Sequence, residues 1–290
     1  MSEFPPSPFN TPAGGKAAES AYLKLDEAHA RAIELFSEYE IKPERFAGMR
    51  DYPDAVIRAD TEEVRRREKN FKYDTQSDFA DILEAIAFEH GELSEWFGSS
   101  SKVIKTSRYD DYFNKVDLVV ETKVTNQEYS DLALGMDVTS SSDLRKKFEG
   151  IRAKIDQGRL GQVKYFLSDR PNKIFAGSLQ NIPEVVVGLE VDRVKELALL
   201  WMNKKNKQLG EHPVQRLILR EIALQLRAFA NYARSTGKEG LAVILETQLH
   251  IIEEIMRAKR EADIGAIEHD NIFEEIKRNM SSFAVPAVKR

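Results

Sequence analysis

Two runs decide the reading of this chain: Ser107-Arg108-Tyr109-Asp110-Asp111-Tyr112-Phe113-Asn114-Lys115-Val116-Asp117-Leu118-Val119-Val120-Glu121, and then Leu132-Ala133-Leu134-Gly135-Met136-Asp137-Val138-Thr139. Their apolar segments read as the arms of one hairpin, and the polar stretch Thr125-Asn126-Gln127-Glu128-Tyr129-Ser130 between them reads as its loop. Antiparallel partners keep a fixed register about the centre of the loop. A loop centred near residue 127 sets Asp117 opposite Asp137, so both carboxylates lie on one side of the sheet at the open end of the hairpin. Adjacent like charges are costly unless a cation or a proton neutralises them. A divalent ion is the simplest answer, because Mg²⁺ takes one or two carboxylates and completes its shell with water and substrate phosphate. Such an ion polarises a phosphate and acidifies an attacking water. The plain alternative is that one of these aspartates ends a strand in solvent.

Outward from the hairpin, a helix capped by Ser77 or Asp78 runs through Ile82, Leu83 and Ile86 to about Trp96, with Gly98 as its stop. Strands are predicted over 102–107, 116–123 and 132–139. A basic helix comes next, capped by Ser142 or Asp143 and carrying Leu144, Phe148, Ile151 and Ile155 to Gly158. After it come a strand at 163–167, an appended apolar strand at 184–189 and a helix over 191–203. The order predicts an α/β domain with a mixed sheet.

These residues resemble the PD-(D/E)xK superfamily, the restriction-endonuclease-like nucleases, in motif and in element order. The likeness covers about 77–167 and extends plausibly to 203. It rests on Asn114-Lys115-Val116-Asp117-Leu118-Val119 as the Asp motif and on Met136-Asp137-Val138-Thr139 in the place of the E-x-K. The resemblance implies an αβββαβ core with 163–167 as the parallel strand. It also implies metal-dependent hydrolysis of DNA, or less readily RNA, with Glu84, Asp117 and Asp137 binding Mg²⁺ or Mn²⁺. Thr139 stands where the family has its lysine, and Lys146 or Lys147 on the next helix could reach back in its stead. A rival parse takes Glu121-Thr122-Lys123 as the E-x-K, with Asp110 or Asp111 as partner. A second function class keeps the fold as a nucleic-acid-binding or assembly module without hydrolysis.

Composition narrows the classes. The chain has 290 residues, 42% hydrophobic and 31% charged, a globular balance. It has no cysteine, which excludes disulfides, thiolate nucleophiles and thiolate metal sites, and its five histidines form no H-E-x-x-H. No apolar run is long enough to span a bilayer. The N-terminus has no basic region followed by an apolar one, so a cytoplasmic address is expected. The net charge is −5, so nucleic-acid binding would need a local patch. Residues 144–173 offer one, with nine basic side chains against three acidic ones, unless these are simply solvated. The helix start at Ser140-Ser141-Ser142-Asp143 is a candidate anion site, or else ordinary capping.

The remaining segments read as support. Residues 1–17 are a tail, 18–75 an N-terminal helical segment, 76–205 the α/β core, 206–280 a helical hairpin region and 281–290 a second tail. A mixed charge run at 62–69 reads as a solvated helix, with contact to phosphate as the alternative. The stripe Leu217, Ile218, Ile222, Leu226 and Phe229, with Leu241, Leu245 and Ile252, is either core or the seam of a homodimer. His90, Tyr165 and Phe166 read as core. Ser235-Thr236-Gly237-Lys238 is only the end of a phosphate-loop pattern and is set aside.

Overall fold

The structure is a computed structural model that describes residues 16–70, 75–123, 131–170, 173–259, 267 and 269–284. The tails at 1–15 and 285–290 and the hairpin loop at 124–130 lie outside the described residues. The chain is an α/β protein. Helix α1 (Lys16–Tyr39) leads through a 3-10 turn to α2 (Asp54–Lys69) and α3 (Thr75–Leu93). Strand β1 (Ser101–Lys105) and a π-helical turn (Asp110–Asn114) precede β2 (Leu118–Lys123) and β3 (Asp131–Thr139). Helix α4 (Arg145–Asp156) is followed by β4 (Gly161–Arg170), β5 (Lys173–Ile182) and β6 (Glu184–Gly188). The chain continues with α5 (Val191–Met202), α6 (Asn206–Gly210), α7 (Val214–Ser235), α8 (Glu239–Ala258) and α9 (Asn271–Met280).

The main sheet has the order β1-β2-β3-β6, with β3 and β6 parallel and the other pairs antiparallel. The expected register is present: Leu118 pairs with Met136 and Val119 with Gly135, which places Asp117 and Asp137 at the next position out. Period-two alternation then divides the strand residues between two cores. Leu118, Val120, Leu134, Met136 and Val138 join the larger one with α3, α4, α5 and α7. Val116, Val119 and Ile104 join a smaller one with Phe46, Tyr52, Val163 and Tyr165.

The fourth strand corrects the sequence reading. The 163–167 segment belongs to β4, which pairs only with β5 in a separate two-stranded ribbon, whereas the supposedly appended run at 184–189 is the parallel partner of β3. The physical reason is burial. All five β6 residues are buried, as suits a strand beside a parallel partner and covered on both faces. Its free edge is closed by α7, whose Gln225 amide accepts from Val186 N at 2.8 Å and donates to Val186 O at 2.6 Å. Gly188 N donates to Glu221 Oε2 at 3.1 Å. Side chains thus replace the missing neighbour strand.

Boundaries also shift. Helix α3 stops at Leu93 rather than near Trp96, because Glu95 adopts a left-handed φ of 53° and Trp96 turns inward to donate to Leu209 O at 3.1 Å. Helix α4 starts at Arg145 with Leu144 as its cap residue, so neither Ser142 nor Asp143 caps it. Helix α2 starts at Asp54, eight residues before the charge run at 62–69 that reads as helical. Helix α9 is an added element, capped by Asp270, whose side chain accepts from Ile272 N and Phe273 N. The second tail is docked in part, with Phe283 buried in the larger core. The α7 and α8 stripe is buried in the same core, so its apolar face is used within the chain. Among the described residues no helix is long and apolar enough to cross a membrane.

Candidate active site

Four elements deliver charged side chains to one cavity of about 430 Å³, which Glu84, Asp111, Asp117, Asp137, Lys146 and Lys147 help to line. The hairpin supplies its floor. Asp117 N donates to Met136 O at 2.9 Å, and Asp117 Oδ2 accepts from Val138 N at 2.7 Å, so the side chain is tied across to β3 where Asp137 projects. The π-helical turn supplies Asp111. Such turns add a residue to a helical path and so re-aim the side chains beyond the insertion. This one ends on Lys115 in the left-handed region, at φ 62°, and both Asp111 and Lys115 reach the cavity.

Helix α3 supplies Glu84 because it lies close against β1: a Cβ on Gly91 would stand 2.3 Å from Val103 Cγ2. That approach brings Lys105, at the end of β1, under the helix. Its Nζ lies 2.8 Å from Glu84 Oε1 and 3.6 Å from Asp111 Oδ2, and it donates to the Asp117 carbonyl at 3.4 Å. Helix α4 supplies Lys147, whose Nζ lies 2.5 Å from Asp137 Oδ1. Lys154, one helical stretch further, pairs with Glu184 at the start of β6.

The electrostatics reflect this crowding. Burial, then Asp111, Glu84 and Asp137, push the Asp117 carboxyl well above the ordinary range, against the pull of Lys105. Burial raises Asp137 too, opposed chiefly by Lys147. Glu84 is lifted to about 7, burial outweighing Lys105. For both lysines burial disfavours the charge, yet the surrounding carboxylates prevail and raise their pKa values, so both remain ammonium ions. Among the described residues, the Asp117 carboxylate accepts only from Val138 N and the Asp137 carboxylate only from Lys147. Hard carboxylate oxygens with spare lone pairs, gathered at one cavity, match the donor set of Mg²⁺ or Mn²⁺.

Glu84, Asp117, Asp137, Lys146 and Lys147 therefore converge, but Thr139 does not. It is buried at the end of β3, and its Oγ1 accepts from Ser141 N at 3.1 Å in the turn that leads to α4. The Ser140 to Asp143 stretch is that turn, with Asp143 N donating to Ser141 Oγ. The rival parse is not assembled. Glu121 accepts from Ser168 Oγ at 2.7 Å, Lys123 is exposed, and Asp110 is held by Ser107, Asn114 and two β4 amides. The basic stretch is partly used inside the chain. Lys164 pairs with Asp60, and Arg152 donates to Tyr232 Oη and to Ser282 O. His90 is fully buried with Nδ1 2.8 Å from Ser94 Oγ, a core histidine as expected.

Sequence reasoning missed Lys105, Lys115, Lys154 and Glu184 and met Asp111 only in the rival parse. Lys105 had a legible signal: it lies two residues after Val103, on the inward face of its strand, where a charge demands a partner. A further group, His29 with Asp78 and Asp81, lies on α1 and α3. His29 Nε2 is 3.2 Å from Asp81 Oδ2 and 3.5 Å from Asp78 Oδ1. These carboxylates raise the His29 pKa against its burial, which accounts for the cluster as an ion-paired histidine. Comparison with known proteins adds no relative: no family model matches the chain, and no curated protein or solved structure matches it significantly.

Proposed function

We propose that the chain is a divalent-metal-dependent phosphodiesterase acting on nucleic acid, DNA in preference to RNA, and a divergent member of the PD-(D/E)xK class. The observation that carries this reading is the pair of buried carboxylates, Asp117 and Asp137, held at one cavity with lone pairs to spare and with like charges as neighbours. Asp117 and Asp137 would hold the ion, with Glu84 as the third carboxylate of the cavity. The ion would supply Lewis acidity toward a phosphate and a more acidic bound water.

The chain's own residues do the rest. Lys147 stays charged at the cavity and lies where a phosphate would approach Asp137, so it can oppose negative charge that develops on the phosphoryl oxygens. Lys146 lines the same opening and adds positive potential for an incoming phosphate. This is the role that Thr139, spent on its turn, does not fill. The element order of helix, three-strand meander, helix and parallel strand agrees with the class once β6 is taken as the fourth strand.

A second reading has its own support. Lys105 on Glu84 and Lys147 on Asp137 are ion pairs that engage carboxylates of the cavity, as a module that binds nucleic acid without cutting it could retain. Incubation of single- and double-stranded DNA and RNA with Mg²⁺, with Mn²⁺ and with chelator separates the two. Cleavage that needs metal and is lost in Asp137→Ala is the expected result. Binding that weakens steeply with salt, without cleavage under any of these conditions, assigns the module instead. Cleavage insensitive to chelator counts against both.

A further inference from the structure

Lys147 and Lys105 pair with two carboxylates of the cavity, Asp137 and Glu84, and they are built differently: Lys147 lines the cavity itself, whereas Lys105 reaches Glu84 from outside its lining. Lys147 keeps 30% of its side chain exposed, so its ammonium can exchange Asp137 for water. Lys105 keeps 5%. Its backbone is locked opposite Leu118 in the β1–β2 ladder, and the Phe36 ring lies 5.0 Å from its Nζ. Its side chain is thus far more enclosed than that of Lys147. From this fixed position the ammonium touches Glu84 and Asp111 and donates to the Asp117 carbonyl. A dication seated among the same oxygens would meet a like charge at close range, with little water to screen it.

We propose that Lys105 takes the place of a second cation, so that the cavity holds a single divalent ion between Asp117 and Asp137 while Glu84 and Asp111 are neutralised by the ammonium. This rests on the metal-dependent reading and deepens it. Glu84, Asp111, Asp117 and Asp137, four of the carboxylates that line this cavity, are otherwise enough ligands for a pair of ions, the arrangement used by two-metal phosphoryl enzymes. Lys105 acts here as a positioning residue that sets metal number, since it reaches the carboxylates rather than the substrate.

The test is a calorimetric Mn²⁺ titration of the full chain. One ion per wild-type chain and two per Lys105→Met chain are expected, with Lys105→Arg remaining at one because the charge persists. Two ions in the wild type, or one in a folded Lys105→Met, overturns the proposal while leaving the metal-dependent reading in place. No bound Mn²⁺ in the wild type removes that reading and the proposal together. Should Lys105→Met fail to fold, Glu84→Gln decides the matter. If the ammonium rather than the ion holds Glu84, wild-type Mn²⁺ affinity falls by less than about tenfold, the lower end of what loss of even an outer metal contact costs. A larger loss makes Glu84 a ligand and overturns the proposal.

Discussion

Asp110 and Asp117 are seven residues apart, both buried, and opposite in design. The Asp110 carboxylate, at the start of the π-helical turn, accepts from Ser107 Oγ at 2.6 Å, Asn114 Nδ2 at 2.6 Å, Lys164 N at 2.6 Å and Tyr165 N at 3.0 Å. Burial pushes its pKa up, and these four hydrogen bonds all push back. At Asp117 burial is instead reinforced by Asp111, Glu84 and Asp137. The first acid is saturated by donors and pins the β4–β5 ribbon to the turn. The second is left in need of positive charge at the edge of a cavity. Burial alone does not mark a functional carboxylate; what the protein leaves undone for it does.

The largest effect expected from this contrast is on stability. Asp110→Ala strands two β4 amides and two side-chain donors, and should cost about 3–5 kcal/mol in urea unfolding, the scale of deleting one partner of a buried charged network. Asp137→Asn should change metal-free stability by about 1 kcal/mol or less, since it removes a like-charge neighbour and Lys147 can turn to solvent. The reverse ranking would undo the contrast between the two acids.

Next in size is a rate. Lys147→Met should lower metal-dependent cleavage by about 10²–10³, or roughly 2.7–4 kcal/mol, with Mn²⁺ binding retained, as for loss of one preorganised charge donor. Lys146→Ala, at the rim and without a carboxylate contact among the described residues, should cost less than about tenfold. Equal losses would mean that both lysines serve only as surface charge.

A thermal shift probes the unsatisfied acids directly. Mn²⁺ at about a hundred times its Kd should stabilise the wild type by about 2.7 kcal/mol through mass action, and Asp137→Ala should abolish the shift in melting temperature. An unchanged shift in that variant places the ion elsewhere, with His29, Asp78 and Asp81 as the group to test.

The smallest effect concerns Glu221, an acid with a single donor and no share in the cavity. Its Oε2 accepts from Gly188 N while its Oε1 is buried without a partner. Burial holds its pKa well above the ordinary carboxylate value. The folded state therefore binds this proton more tightly than the unfolded chain. The stability it adds is fully present below the ordinary value near 4.5 and is lost as pH rises through the raised one. Glu221→Gln should keep the Gly188 contact and flatten that decline, each tenfold difference in proton affinity counting for about 1.4 kcal/mol. Parallel pH–stability curves for the two proteins would show that Glu221 stays ionised.

The hairpin register, and with it the meeting of Asp117 and Asp137, is written in the chain alone. Strand pairing fixes a constant relation between residue numbers, and the polar linker located its centre. Equally legible were the helices whose apolar faces repeat every three to four residues, and the reach of Lys147, which lies ten residues beyond Asp137 across one turn. Other features depended on how distant elements pack. Choosing β6 over β4 as the fourth strand required knowing what covers each face, and the cover on β6 is the Gln225 and Glu221 side chains from a helix more than thirty residues on. The saturation of Asp110 by β4 amides over fifty residues away was equally invisible. So was the seat of Lys105 beneath α3, which depends on how closely Gly91 lets the helix approach Val103. Local periodicity encodes pairing between neighbours in sequence, whereas the charge state of a buried group is set by whichever distant elements happen to surround it.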